Sequence, residues 1–93
     1  MAFGDLVRAR RTELEIGLND MAERLGISPG YWSRIERNID KPPSDEVVER
    51  AAAILGIPLD TIFVEAQRLP PDMRRDMPGV VLAYRRMRAS RGR

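Results

Sequence analysis

One stretch of the sequence, SPGYWSRIERN at positions 28–38, carries guanidinium and hydroxyl groups, which can hydrogen-bond to polar or anionic partners. Ser28 followed by Pro29 predicts a helix start, because the hydroxyl caps a free amide and proline fits the first helical position. Trp32 and Ile35 lie three residues apart, which predicts that they share a buried face. The remaining surface of this helix then carries Tyr31, Ser33, Arg34 and Arg37.

The composition excludes most catalytic and metal-binding chemistry. The 93 residues include no cysteine, no histidine and a single lysine, Lys41. The commonest general base and metal ligands are therefore missing, and we predict a non-enzymatic protein with no cofactor and no metal. Paired acids such as Asp72 and Asp76 are the remaining catalytic candidates, but the prolines around them predict a solvated turn. The sequence has no secretion signal and no membrane-spanning apolar run, which predicts a cytoplasmic protein with no membrane partner.

The net charge of +2 conceals an uneven distribution of charged side chains. Residues 1–50 contain eight basic and ten acidic side chains, whereas residues 51–93 contain eight basic and four acidic ones. From Gly79 onward there are five arginines and no acid. Such a basic end either improves solubility or binds an anionic partner, most often nucleic acid.

Helical periodicity predicts five helices before residue 67, and no sustained period-two alternation indicates a sheet. The predicted helices are, in order, residues 3–14, Leu18 to the capping Gly26, residues 28–37, Ser44 to the closing Gly56, and a fifth that starts at Pro58. The second and third are joined by a tight turn, and the third is short and faces outward. That arrangement predicts a helix-turn-helix.

A helix-turn-helix places its second helix in the major groove of DNA, so residues 28–37 become candidates for base recognition. Pro29 and Gly30 have almost no side chain, which lets the backbone approach DNA, and free amides at a helix start can bind phosphate. Arginine binds guanine through O6 and N7, with roughly 1–3 kcal/mol of discrimination. Arg34 is therefore our first candidate for a base contact.

The ordered residues resemble the Cro/C1-type (XRE-like) helix-turn-helix regulators over roughly residues 3–66. The matching positions are Arg11, Ile16, Met21-Ala22, Leu25-Gly26-Ile27-Ser28, Tyr31, Ser33, Ile35-Glu36-Arg37-Asn38, Leu55-Gly56-Ile57-Pro58 and Ile62-Phe63. The resemblance implies an all-α fold, with a five-helix lambda-repressor-like DNA-binding domain over residues 1–66. It also implies an inter-helix salt bridge between Arg11 and Glu36. Asn38 stands where the family usually has glycine, and asparagine tolerates the left-handed conformation.

The sequence departs from the family pattern at three places. Glu15 stands where the family usually has glycine, and Gly17 stands where it usually has a Ser or Thr cap, so this cap offers no side-chain acceptor. The loop Ile39-Asp40-Lys41 replaces a loop that is usually basic or glycine-rich, and Asp40 offsets the charge of Lys41. Because phosphate neutralisation supplies most non-specific affinity, we expect the front half to bind DNA only modestly. The exception would be a cluster on one face of Arg34, Arg37, Lys41 and either Arg8 or Arg10.

The resemblance implies a sequence-specific transcription regulator, and we predict a repressor that binds a palindromic operator in double-stranded DNA as a homodimer. The predicted DNA-binding residues are Ser28, Pro29, Gly30, Tyr31, Ser33, Arg34, Arg37, Lys41 and Arg10. The alternative is a protein-interaction module, such as an antitoxin or an adaptor, that uses the helix-turn-helix as a scaffold. The acidic front half and the small Pro29-Gly30 pair favour that alternative.

Residues 67–93 are predicted to form a proline-punctuated helical extension with a basic end. Pro70, Pro71 and Pro78 leave room for one short helix, and an amphipathic helix follows Pro78-Gly79. Three uses of this last helix remain open. It packs back on the domain, it contacts a second copy of the chain, or its arginines hold DNA or an acidic protein partner.

Overall fold

The computed structural model describes residues 2–91, with side chains through Ser90. All regular secondary structure in the described residues is helical, which confirms the predicted all-α class. Its helices are α1 (Phe3–Glu13), α2 (Leu18–Leu25), α3 (Pro29–Glu36), α4 (Asp45–Leu55), α5 (Leu59–Glu65), α6 (Pro71–Arg74) and α7 (Met77–Arg91).

The helix ends follow the capping residues that the sequence predicts. Gly26 and Gly56 end α2 and α4 in the left-handed conformation, with φ of 73° and 65°. The Ser28 hydroxyl accepts a hydrogen bond from the Tyr31 amide at 3.2 Å, so Ser28 is the N-cap of α3. The helix predicted at 28–37 is therefore Pro29–Glu36 with its two flanking caps.

Helices α1 to α5 surround one hydrophobic core. Trp32 is fully buried in this core, as the structural interpretation of this tryptophan predicts. The core side chains are Phe3, Val7, Met21, Ala22, Leu25, Trp32, Ile35, Val48, Ala51, Ala52, Leu55, Ile57, Ile62, Phe63 and Ala66. Because α3 contributes Trp32 and Ile35, its orientation is set by the same packing that stabilises the domain.

Helical periodicity groups Leu14 with Phe3 and Val7 on one predicted face, and Leu59 with Ile62 and Phe63 on another. Both leucines are exposed instead. Leu14 is 39% exposed because α1 ends at Glu13, which leaves Leu14 in the turn as the C-cap. Leu59 is 49% exposed in the first turn of α5, where the core contacts begin only at Ile62. Both errors arise at a helix end, where periodicity no longer fixes which side faces the core.

Arginines beyond α5 tie the following segment to the start of α4. Arg68 donates to the carbonyls of Pro42 and Pro43 and to the Asp45 carboxylate. Arg74 forms an ion pair with the same carboxylate at 2.6 Å. The chain therefore stays attached to the five-helix core through α6.

Helix α7 leaves this core and packs mainly against α6. It begins beside Asp76, whose carboxylate accepts a hydrogen bond from the Gly79 amide at 3.2 Å. The described part of the molecule is elongated, with extents of 49 × 25 × 23 Å. Of the three uses left open for this helix, packing back on the domain does not agree with its position in the described structure. Asp76 caps a helix, and Asp72 is an exposed side chain in α6.

Candidate nucleic-acid interface

The inner face of α3 is fixed by a buried ion pair with α1. Glu36 is 3% exposed and accepts two hydrogen bonds from Arg11, from Nε at 2.6 Å and from Nη2 at 2.8 Å. Arg11 also donates from Nη1 to the Ile16 carbonyl at 2.9 Å, which joins the turn after α1 to the same network. This is the inter-helix bridge that the family resemblance implies. Because the Arg11–Glu36 pair is bidentate, it fixes the angle of α3 relative to α1 as well as the distance between the two helices.

The Arg11 guanidinium stays charged in this half-buried position. The hydrogen bond with Glu36 raises the pKa of Arg11 above its usual value, and burial opposes that effect only in part. The pair is thus ionised on the Arg11 side throughout the physiological range. Removal of Glu36 would leave a charge without its partner in the interior, which is the costly way to break such a pair.

The end of α3 is joined to the start of α1 by Asn38. This residue adopts φ of 61°, which confirms the predicted left-handed conformation. Its side-chain oxygen accepts a hydrogen bond from the Gly4 amide at 3.0 Å. A Cβ atom at Gly4 would collide with the Ile35 carbonyl oxygen, so glycine is what allows α1 to approach α3 so closely.

The outer face of α3 carries the side chains that the sequence analysis proposed for DNA contacts. Tyr31 and Ser33 are partly exposed, and Lys41 is exposed in the loop that follows. The exposed positions on α3 and its caps are Ser28, Pro29, Gly30, Arg34 and Arg37. These residues form one polar, basic surface on the side of the helix opposite Trp32 and Ile35.

Arg34 is held in place on this surface by two neighbours. Its Nε lies 2.8 Å from the Asp40 carboxylate, and its guanidinium carbon lies 5.9 Å from the centre of the Tyr31 ring. The Asp40 amide also donates to the Arg34 carbonyl at 3.3 Å. From the sequence, Asp40 was expected only to offset the charge of Lys41, and its pairing with Arg34 was not predicted. The two residues are six apart across a helix end, where the three- and four-residue spacing rule does not apply.

Arg10 makes its side-chain contacts with α4 and within α1. Its Nε donates to the Leu55 carbonyl at 2.8 Å, and its Nη1 pairs with Glu13 at 3.0 Å. This guanidinium satisfies a free carbonyl at the C-terminus of α4, which is a stabilising position for a cation. The geometry gives Arg10 a structural role, and the surface around α3 is complete without it.

The N-terminus of α3 offers fewer free amides than the sequence suggested. Pro29 has no N–H, and the Tyr31 amide is already bonded to Ser28, so the Gly30 amide remains. Helix α2 starts differently, because its N-cap Gly17 makes no side-chain capping bond. The sequence indicated the Ser28 cap and the missing side-chain acceptor at Gly17, but not that the amide bonded to Ser28 is that of Tyr31.

Other kinds of site receive little support from the described residues. Between residues 2 and 91, no group of three or more carboxylate, thiol or imidazole side chains is placed to hold a metal ion. No helix in the same range is long and apolar enough to span a bilayer. A cleft of about 360 Å³ lies beside the α3–α4 loop, lined in part by Phe3, Ile39 and Val64.

Comparisons with known proteins agree with this architecture. A family model described as a helix-turn-helix domain matches residues 2–62. The HTH-type transcriptional regulator SinR of Bacillus subtilis is 30% identical over 74 residues, which cover 80% of this chain and 67% of SinR. The crystal structure of SinR in complex with DNA matches with a TM-score of 0.59 at 32% identity, over 64% of this chain and 95% of that one.

A further solved structure extends the similarity beyond α5. A chain of the SinR–SinI protein complex matches with a TM-score of 0.61 at 25% identity. The match covers 95% of this chain and 98% of that one, so it includes most of α6 and α7. The chain therefore belongs to the XRE-like helix-turn-helix family and is a DNA-binding transcription regulator.

Proposed function

We propose that the protein recognises a specific operator by inserting α3 into the major groove of double-stranded DNA. The observation that carries this proposal is the division of α3 into two faces. Trp32, Ile35 and Glu36 hold its inner face rigidly against the domain, and its outer face presents exposed hydrogen-bonding groups. A recognition helix requires both properties, because base contacts need positioned donors on a fixed support.

The proposal assigns different roles to the exposed residues. Arg34 binds a base, while Arg37 and Lys41 bind phosphates and so supply affinity without sequence preference. Pro29 and Gly30 allow close approach of the backbone. Ser28, Tyr31 and Ser33 complete the set, as hydrogen-bond partners of bases or phosphates. Arg10 is left out of the interface, because its Nε binds the Leu55 carbonyl and its Nη1 pairs with Glu13, which give it a structural role.

We further propose that the protein acts as a homodimer on a palindromic operator. Helix α7 supports this, because its apolar side chains Val81, Tyr84 and Met87 are exposed and have no cover within the described chain. A second copy that covers this face would place two α3 helices on one duplex. Half-sites about 34–36 Å apart, one helical turn, would then match the two-fold axis of the dimer.

Repression and a cytoplasmic location follow from the same proposal. A dimer that occupies an operator within a promoter excludes polymerase without needing any ligand-binding domain. Residues 67–93 would form a separate oligomerisation segment beyond the DNA-binding domain of residues 1–66. The relatives named above are bacterial, and a regulator of this kind works where the chromosome lies.

The test is selection of bound duplexes from a random DNA library at near-physiological salt. We expect an inverted repeat with half-sites about one helical turn apart. Arg34→Ala should relax one position in each half-site by about tenfold or more, since a bidentate arginine–guanine contact discriminates by about 1–3 kcal/mol. Lys41→Ala should weaken binding to all sequences and reduce the salt dependence by about one phosphate contact.

Arg75→Ala is a matched control, because Arg75 is an exposed arginine outside residues 28–41. It should leave base preferences and salt dependence unchanged. If the library yields no enriched sequence, the proposal that α3 reads DNA is wrong. If a sequence is enriched but is not symmetric, recognition by α3 stands and the palindromic dimer is wrong.

A protein-interaction module is the second candidate function. The exposed apolar face of α7 favours it, and so does similarity to a chain in the SinR–SinI protein complex. The salt dependence of DNA binding separates the two functions. A regulator loses affinity steeply with salt because it releases counterions, whereas a scaffold shows weak binding with a shallow slope. A stable stoichiometric complex with a defined acidic protein, without operator binding, would favour the second function.

A further inference from the structure

The exposed ion pair between Arg34 and Asp40 has a geometry that an ordinary surface salt bridge does not need. The contact uses Nε of Arg34, at 2.8 Å from one Asp40 oxygen. The Asp40 amide bonds to the Arg34 carbonyl at 3.3 Å, so the loop is tied to the residue whose side chain it holds. The Tyr31 ring, 5.9 Å from the guanidinium carbon, supports the group from another side.

This arrangement leaves the two terminal nitrogens of Arg34 available. Among the described residues, the side-chain hydrogen bonds of Arg34 engage Nε alone. A Cβ atom placed on Gly30 would lie 3.7 Å from Nη1, so the open end of the guanidinium extends toward the N-terminal turn of α3. That turn is the part of a recognition helix that comes nearest to base edges.

We infer that Asp40 is a positioning residue that presets Arg34 to recognise guanine, an inference that rests on the proposed function. Guanine presents O6 and N7 as adjacent acceptors, which match the two terminal nitrogens of a fixed guanidinium. Adenine presents one acceptor and one donor at the same edge, so a guanidinium that cannot rotate away meets a donor. Asp40 thereby holds the Arg34 guanidinium in an orientation that distinguishes guanine from adenine.

Asp40 has a second effect through its charge. A free arginine at the DNA surface pairs with any phosphate, which raises affinity for every sequence equally. The Asp40 carboxylate already neutralises Arg34 and repels phosphates near it. Arg34 therefore contributes little to non-specific binding and contributes fully only when a guanine lies in front of it. Asp40 determines specificity in this way without touching the base.

The test compares Asp40→Asn with wild type on the operator selected from the random library and on the same operator with the Arg34-dependent guanine replaced by adenine. We expect the ratio of the two affinities to fall at least fivefold in Asp40→Asn. Affinity for unrelated DNA should rise several-fold, and the salt dependence should steepen by about one phosphate contact. In an Arg34→Ala background, Asp40→Asn should leave the guanine-to-adenine ratio unchanged.

Glu13→Gln provides the matched control for charge. It also removes one acid from an exposed arginine pair, at the C-terminus of α1, where Glu13 lies 3.0 Å from Arg10. This variant should leave the guanine-to-adenine ratio unchanged. Thermal unfolding of both variants should stay close to wild type, because exposed pairs contribute little to stability. If Asp40 had a purely structural role, Asp40→Asn would not lower the guanine-to-adenine affinity ratio while leaving thermal unfolding unchanged.

Two outcomes separate this inference from the proposed function. If Asp40→Asn raises affinity for all sequences and keeps the guanine preference, Asp40 only repels DNA and the positioning role is wrong, while operator recognition stands. If an operator is selected but Arg34→Ala relaxes no position in it, the positioning role of Asp40 is again wrong and operator recognition again stands. If no operator is selected at all, the proposed function fails and this inference fails with it.

Discussion

The five-helix core and α7 differ in where their apolar side chains find partners. In the core, Trp32, Phe63 and Met21 are completely buried by other parts of the same chain. In α7, Val81, Tyr84 and Met87 follow a helical stripe and remain between 41% and 58% exposed. An isolated helix of this length is marginally stable in water. The core is therefore self-sufficient, whereas α7 has a face suited to a partner outside the described chain.

This difference sets a clear expectation for mutations. Substitutions at core contacts should change the free energy of unfolding of the monomer. Substitutions on the α7 stripe should change association and leave the monomer almost unaffected. The expected change in the free energy of unfolding is therefore largest at the buried contacts of α3 and smallest on the exposed face of α7.

Removal of Glu36 should have the largest effect. Glu36→Ala leaves the Arg11 guanidinium, whose side chain is 14% exposed, without its carboxylate partner. Breaking a buried pair in this way costs about 3–5 kcal/mol, and urea unfolding measures that loss directly. Glu13→Gln removes one member of an exposed pair and should cost less than about 1 kcal/mol. Equal losses in the two variants would mean that the buried bridge does not fix α3.

Gly4→Ala should destabilise the core by about 1–3 kcal/mol, because overpacking at a close contact displaces its neighbours. The added methyl group would meet the Ile35 carbonyl oxygen and the Asn38 side chain. Gly30→Ala is the matched control in the first turn of α3, where the same atom meets only Arg34 at 3.7 Å. Since alanine favours helix, that variant should be neutral or stabilising by up to about 1 kcal/mol. Chemical denaturation of both proteins should give changes of opposite sign, and equal changes would show that the two sites are equally crowded.

These core features were predictable from the sequence to different extents. The left-handed conformation of Asn38 and the caps Gly26 and Ser28 were predictable, because each depends on local backbone chemistry. The pairing of Arg34 with Asp40 was not, because it depends on how the chain turns after α3. The exposure of Leu14 was missed for a related reason. Periodicity assigns faces within a helix, and it stops where the helix stops.

The candidate interface was predictable as a set of residues but not as an arrangement. Residue types and spacing indicated the exposed face of α3, since Trp32 and Ile35 marked the opposite side. Arg10 was included because α1 also carries basic side chains, and spacing alone could not show that its Nε binds the Leu55 carbonyl. The projection of α7 away from the core could not be predicted either. An amphipathic pattern indicates that one face of a helix contacts a partner, but it does not show whether that partner is the same chain or another.

Glu15→Gly should stabilise the protein modestly. Glu15 adopts φ of 57° in the turn between α1 and α2, a conformation that costs a side-chain-bearing residue about 1 kcal/mol. Glycine removes that strain but loses more entropy on folding, so we expect a net gain of about 0.5 kcal/mol. Glu23→Gly is the control within α2, where glycine should cost about 1 kcal/mol. Thermal unfolding should move the two midpoints in opposite directions, and a loss in Glu15→Gly would mean that its side chain contributes more than its backbone costs.

Val81→Glu and Leu82→Glu should have the smallest effect on the monomer and the greatest power to test the comparison. Both residues are exposed on α7, at 41% and 52%, so each substitution should change monomer stability by less than about 0.5 kcal/mol. Successive residues of an α-helix are about 100° apart around its axis, because a turn takes 3.6 residues. Val81 therefore lies on the stripe with Tyr84, whereas Leu82 lies off it.

Sedimentation velocity over a range of protein concentrations measures the consequence. If the stripe joins two copies, Val81→Glu places a carboxylate in each half of the interface and should shift the protein toward monomer, while Leu82→Glu stays dimeric. Operator affinity should fall in parallel for Val81→Glu, because one half-site is then bound without its partner. If the wild-type protein is a monomer and binds the operator with full affinity, α7 does not mediate dimerisation. Its exposed face would then bind a different protein, and DNA recognition by α3 would still stand, because the five-helix core is stable by itself.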